Sequence, residues 1–101
     1  MIHIAVISSG DSAGDNLVSK MRLVAHDKGL KYEIKALPAN NIDQLTGEES
    51  VVWLAPNARY QEEEVRKFCE EKGSKFGIIE PFIFSSMNGE GLLEKTLALL
   101  E

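Results

Sequence analysis

The chain is poor in the residues that usually advertise chemistry, with one cysteine, two histidines, one tryptophan and three prolines among 101 residues. Cys69, alone, excludes an internal disulfide framework. No apolar run approaches the ~20 residues of a membrane span. The N-terminal apolar stretch is too short for a secretory leader and ends in Ser8-Ser9-Gly10-Asp11. Eleven basic residues stand against 16 acidic ones, for a net charge of −5, with no basic stripe to meet nucleic acid. These absences point to a cytoplasmic chain. A 44% apolar composition over this length is enough for one globular domain spanning residues 1–101.

What is present alternates between two periods. Ile2 to Ile7 reads as a strand. Ser12 to about Lys28 reads as a helix, with Leu17, Met21, Val24 and Ala25 at helical spacing and Gly29 as its stop. Lys31 to Leu37 alternates around Tyr32, Ile34 and Ala36, and Pro38 closes it as a second strand. Asn40 to Thr46 is polar, with room for a short helix. Val51 to Ala55 is apolar on both faces, the mark of a buried parallel strand. Tyr60 to Lys72 is a helix with Val65, Phe68 and Cys69 inward. Phe76 to Ile79 is a fourth strand, and Pro81 to Asn88 is irregular or briefly helical. Glu90 to Glu101 is a closing helix expected to bury Leu93, Leu97 and Leu100.

Strands joined by helices imply an α/β fold, a three-layer α/β/α arrangement around a four-stranded parallel sheet. Strand 3 looks central, giving the order 2-1-3-4. The order reverses between strands 1 and 3, and a ligand crevice belongs above their C-terminal ends. Three segments meet there: Ser8 to Asn16, Pro56 to Tyr60, and Glu80 to Asn88. The first is the most telling, because a strand that turns through small polar residues into a helix gathers backbone N–H groups around an anion.

Inside that loop, Gly10-Asp11-Ser12-Ala13-Gly14 matches the G-x-S-x-G nucleophile elbow of α/β-hydrolases. The partners it needs are missing. His3 precedes the serine, and His26 lies on the same helix, about 20 Å away at 1.5 Å per residue. Ser12-x-x-Asp15 reads better as a capping box, with Ser12 as the N-cap. Asp11, Asp15 and Glu80 could surround a divalent cation in the crevice, but no metal or other cofactor is expected. Cys69, on an inner helix face, reads as a packing residue, and Trp53 as core.

From Leu17-Val18-Ser19-Lys20-Met21-Arg22 onward the chain resembles the lactose/cellobiose class of enzyme IIB of the bacterial sugar phosphotransferase system. The likeness continues through Tyr32-Glu33-Ile34-Lys35-Ala36 with Pro38. It runs on through Ser50 to Tyr60, including Pro56, Asn57 and Tyr60, and through Gly77-Ile78-Ile79-Glu80 to Gly89 and Gly91. The resemblance implies the IIB architecture, akin to that of low-molecular-weight phosphatases. It also implies a phosphoryl carrier, in which a cysteine ending strand 1 takes phosphate from enzyme IIA and passes it to a sugar held by the membrane component IIC. Loop N–H groups and a helix N-terminus would stabilise such a thiolate.

Counted back without gaps, the cysteine position is Ser8, and the loop is Ser9, Gly10, Asp11, Ser12, Ala13, Gly14 and Asp15. Pro56, Asn57, Tyr60, Glu80 and Phe84 are expected to line the crevice. Three departures stand out: a hydroxyl in place of the thiol, carboxylates at Asp11 and Asp15 where the family's residues are usually small and neutral, and Phe84 where the family often has a tyrosine or another polar residue. A carboxylate about 6 Å from a phosphate dianion costs about 5 kcal/mol at an effective dielectric of 20. Two functions follow: a IIB-type carrier with an altered or inactive acceptor, or a IIB-like protein that binds partners without phosphate. A receiver-like module is disfavoured because Ala55-Pro56 stands where its acidic acceptor would be.

Overall fold

The computed structural model describes residues 2–10 and 12–100. Four strands, β1 (Ile2–Ser8), β2 (Tyr32–Pro38), β3 (Val51–Leu54) and β4 (Lys75–Ile78), form one parallel sheet in the order β2-β1-β3-β4. Helix α1 (Ser12–Asp27) links β1 to β2, and α2 (Glu62–Lys72) links β3 to β4. A short α3 (Pro81–Ser85) leads into α4 (Gly89–Leu100). The chain leaves β1 toward one sheet edge and β3 toward the other, and right-handed crossovers then put α1 and α2 on opposite faces.

Each face has its own core. Ile4, Val6, Ile34, Val51 and Trp53 pack under Leu17, Val18, Met21 and Ala25 of α1 and Leu92 and Leu93 of α4. On the reverse face Ala5, Ile7, Val52 and Leu54 meet Val65 and Cys69 of α2, with Ala39 and Leu45 from the β2–β3 connection. Residues 4–8 and 51–55 are buried throughout, as two-sided coverage of central parallel strands requires.

Two local readings differ from the sequence expectation. Helix α1 has Ser12 as its first helical residue, so Ser12 is not the cap; the position before it, Asp11, lies outside the described residues. In α4 the buried seam is Gly89, Leu92, Leu93 and Thr96, while Leu97 and Leu100 are half-buried. The helix is turned this way by two contacts. Gly89 lies against the α1 backbone, where a Cβ would come within 2.8 Å of Met21 N. Buried Trp53 also needs a partner for its indole N–H, which donates to Thr96 Oγ1 at 2.7 Å; that hydroxyl donates in turn to the Leu92 carbonyl.

The turn into β3 is held by a buried carboxylate, Glu49. Its oxygens accept from the N–H groups of Thr46 and Gly47 and from the Thr46 hydroxyl, and Lys35 Nζ lies at 2.9 Å. Burial alone would raise its pKa, but the Thr46 N–H, the Lys35 ammonium and the Gly47 N–H outweigh it and hold it at about 2. Because the folded value lies below the ordinary 4.5, this stabilisation is complete above pH 4.5 and is lost as pH falls toward 2. Glu49→Gln is expected to cost about 2–3 kcal/mol at neutral pH. It should also flatten the acid limb of stability between pH 4.5 and 2, read by urea unfolding across that range.

Candidate functional site

The C-terminal ends of β1 and β3 carry the predicted site. Ser8 ends β1 opposite Pro38 of β2 and is 3% exposed. Its side chain lies against Gly14, in the first turn of α1: a Cβ on Gly14 would collide with Ser8 Oγ and lie 2.9 Å from Ser8 Cβ. The helix therefore sits on the end of the strand at a distance only glycine allows. Between them Ser9 and Gly10 are exposed, and Gly10 adopts φ 101°, a left-handed turn that lets the chain reverse into the helix. Ala13 is half-buried; Ser12 and Asp15 are exposed. Asp11 lies outside the described residues.

Across the crevice, a 3₁₀ segment, Pro56–Gln61, follows β3. The Ser9 N–H donates to Asn57 Oδ1 at 3.1 Å, and the Ala55 N–H donates to the Ile7 carbonyl at 2.8 Å. The two loops at the reversal of strand order are thus tied directly together, and Asn57 occupies the space between them. The concavity that reaches Ser8 opens instead toward β2. It measures about 200 Å³ and is lined by Ser8, Gly10, Asp15, Ala36, Leu37 and Pro38. Sequence reasoning missed its β2 wall, although the parallel pairing that sets Pro38 opposite Ser8 is what builds it.

Among the described residues, this concavity holds one carboxylate and no lysine or arginine. The two guanidinium groups nearest in sequence are engaged elsewhere: Arg22 Nε donates to the Ile34 carbonyl at 2.8 Å, and Arg59 pairs with Glu62 at 3.3 Å. Among the described residues, the start of α1 brings the positive end of the helix to this concavity, against Asp15 in its first turn.

The remaining predicted residues divide. Tyr60 projects from the same end of the sheet, 70% exposed. Glu80 reaches α4, where its carboxylate pairs with Lys95 at 2.8 Å. Phe84 is half-buried and packs against the core under α1 and α4. Among the described residues, no three His, Cys, Asp or Glu side chains converge as a metal site. Cys69 is buried on the far side of the sheet from α1, and burial, then the Glu49 charge, push its thiol up to about 11, which suits packing rather than nucleophilic attack.

With this geometry in view, the comparisons with known proteins are specific about fold. No family model matches the chain, and no curated protein matches it by sequence. Among solved structures it is similar to the lactose-specific IIB component domain of the phosphoenolpyruvate:carbohydrate phosphotransferase system from Streptococcus pneumoniae. That match has a TM-score of 0.87 at 14% identity, over 99% of this chain and 98% of the other. It is also similar to the cellobiose-specific phosphotransferase IIB component protein from Borrelia burgdorferi, with a TM-score of 0.77 at 22% identity, over 97% of this chain and 90% of that one. The fold is that of the lactose- and cellobiose-specific IIB components, with the four-stranded order β2-β1-β3-β4.

The contact of Ser8 with Gly14 can be measured directly. Gly14→Ala is expected to destabilise the protein by roughly 1–3 kcal/mol through overpacking. Adding Ser8→Gly should recover part of that loss, because it removes the atoms the new methyl meets; denaturant midpoints of the four chains give the coupling.

Proposed function

We propose that this chain is a IIB-type component of a sugar phosphotransferase system, in which Ser8 takes the acceptor position and does not relay phosphate as it stands. In this reading it works at the cytoplasmic side, between a IIA phosphoryl donor and a membrane IIC holding the sugar. No helix among the described residues is long and apolar enough to cross a membrane. The observation that carries the proposal is Ser8 itself, 3% exposed at the end of the first strand of a IIB fold, beside a concavity without a cationic side chain.

The chemistry supports an altered acceptor. A relay needs a nucleophile that attacks the donor's phosphorus, releases the donor's nitrogen, and then leaves in its turn. A thiolate meets both demands near neutrality. A hydroxyl needs a base to take its proton, and neither histidine can serve: His3 pairs with Glu33 on the sheet, and His26 is in the last turn of α1. The phosphate ester formed on Ser8 would be a poor donor, and Asp15 would repel it.

A second reading, partner binding without phosphate, is favoured by two large exposed aromatics that follow the C-terminal ends of β3 and β4: Tyr60, 70% exposed, and Phe82, 78% exposed. Both readings meet in one experiment with phospho-IIA of the lactose or cellobiose type, charged from labelled phosphoenolpyruvate. The native chain should stay unlabelled, and Ser8→Cys should take a labile label. Label on native Ser8 would overturn the altered-acceptor assignment. No label on Ser8→Cys, with the variant folded, would sink the relay reading and leave partner binding.

A further inference from the structure

The sheet has two edges, and the structure treats them differently. On the β2 edge the Ile34 carbonyl is taken by the Arg22 side chain, and the strand ends in Pro38. The β4 edge is bare. Lys75 N–H donates to the Ser50 carbonyl and Ile79 N–H to the Leu54 carbonyl, so the odd-numbered residues of β4 face β3. In a parallel strand the residues between them turn both main-chain groups the other way. Phe76 and Ile78 therefore present N–H and C=O outward, with no bonded partner among the described residues. Neither helix layer closes over them. A groove of about 420 Å³ runs along the α2 side of β4, lined in part by Arg66, Glu70 and Phe76. Another of about 290 Å³ lies on the α4 side, between Trp53, Gly77, Ala98 and Leu99.

We propose that this edge pairs with the β4 strand of a second copy of the chain, antiparallel, about a two-fold axis through Gly77. The register follows from which groups are open. An axis normal to the sheet keeps each face continuous, and pairing Phe76 of one copy with Ile78 of the other uses both outward residues of each strand. Each Phe76–Ile78 pair exchanges both of its N–H···O bonds, and the side chains make an aromatic–β-branched contact on the α2 face. Gly77 meets itself on the axis as the non-hydrogen-bonded pair, where side chains approach closest. It has none, because Trp53 already fills its own side: a Cβ there would lie 2.5 Å from the indole.

Charge is self-complementary about the same axis. Arg66 and Glu70, one helical turn apart on α2, both line the groove beside β4, where Arg66 lies over the Phe76 ring and pairs with Glu62 of its own chain. The two-fold sets Arg66 of one copy toward Glu70 of the other, twice. This surface lies on the β4 edge, apart from Ser8 and its loop, so the dimer and the phosphate reading stand or fall separately.

Sedimentation equilibrium over a micromolar-to-millimolar dilution series tests the pairing. The native chain should reach twice its 11.2 kDa mass, with a melting temperature that rises with concentration. Ile78→Pro removes an N–H that points away from β3 and should leave a folded monomer whose melting no longer depends on concentration. Glu70→Arg should weaken the dimer at least tenfold, and Arg66→Glu added to it should restore the dimer. A native chain that stays monomeric overturns the proposal and leaves the edge to a foreign strand. So does a dimer that survives Ile78→Pro, or a charge swap that fails to restore what Glu70→Arg weakened.

Discussion

The helix that follows the first strand rests on that strand's last side chain, and only the missing side chain of Gly14 lets it do so. This one close approach decides most of what the site can be. It buries Ser8 instead of presenting it, fixes where α1 begins, and leaves Ser9 and Gly10 to make the turn. The Ser9–Asn57 hydrogen bond then ties the turn to the segment after β3. A crevice is expected at this reversal of strand order. Here it is bridged by an amide side chain, and the opening that reaches Ser8 is displaced toward β2.

Electrostatics point the same way as sterics. A phosphate site built on a strand–loop–helix turn relies on backbone N–H groups and helix polarity, usually helped by a cation. Here the loop runs from the strand into a helix, but the Ser9 N–H is taken by Asn57 and no cationic side chain lines the concavity among the described residues. Arg22 is spent on a sheet edge and Arg59 on Glu62, while Asp15 stands in the wall of the concavity. The fold shared with the IIB components thus carries, among the described residues, a loop with a carboxylate and no cationic side chain in the wall of its concavity.

The sheet was largely legible in the sequence because its signals are local. Val51 to Leu54, apolar on every residue, could only be a covered parallel strand, and Gly29, Pro38, Pro56 and Gly73 punctuate the elements where they should. What stayed hidden depended on contacts distant in sequence. Glu49 looks like one more acid in a polar turn, until Lys35 and the amides of Thr46 and Gly47 close around it. Glu80 is placed at the right strand end, yet its carboxylate answers Lys95 on α4. The α4 seam follows Thr96 rather than Leu97, because a buried indole on another strand needs an acceptor. Serine at position 8 is visible in the sequence; its burial against Gly14 is a property of helix placement.

The proposal that this turn, with serine at position 8, does not bind phosphate is tested most directly by titrating the native protein with inorganic phosphate. The amide signals of Ser9, Gly10 and Gly14 would be followed by nuclear magnetic resonance. Shifts no larger than those produced by matched chloride, without saturation, are expected. Saturable shifts confined to those amides at low millimolar phosphate would contradict the account.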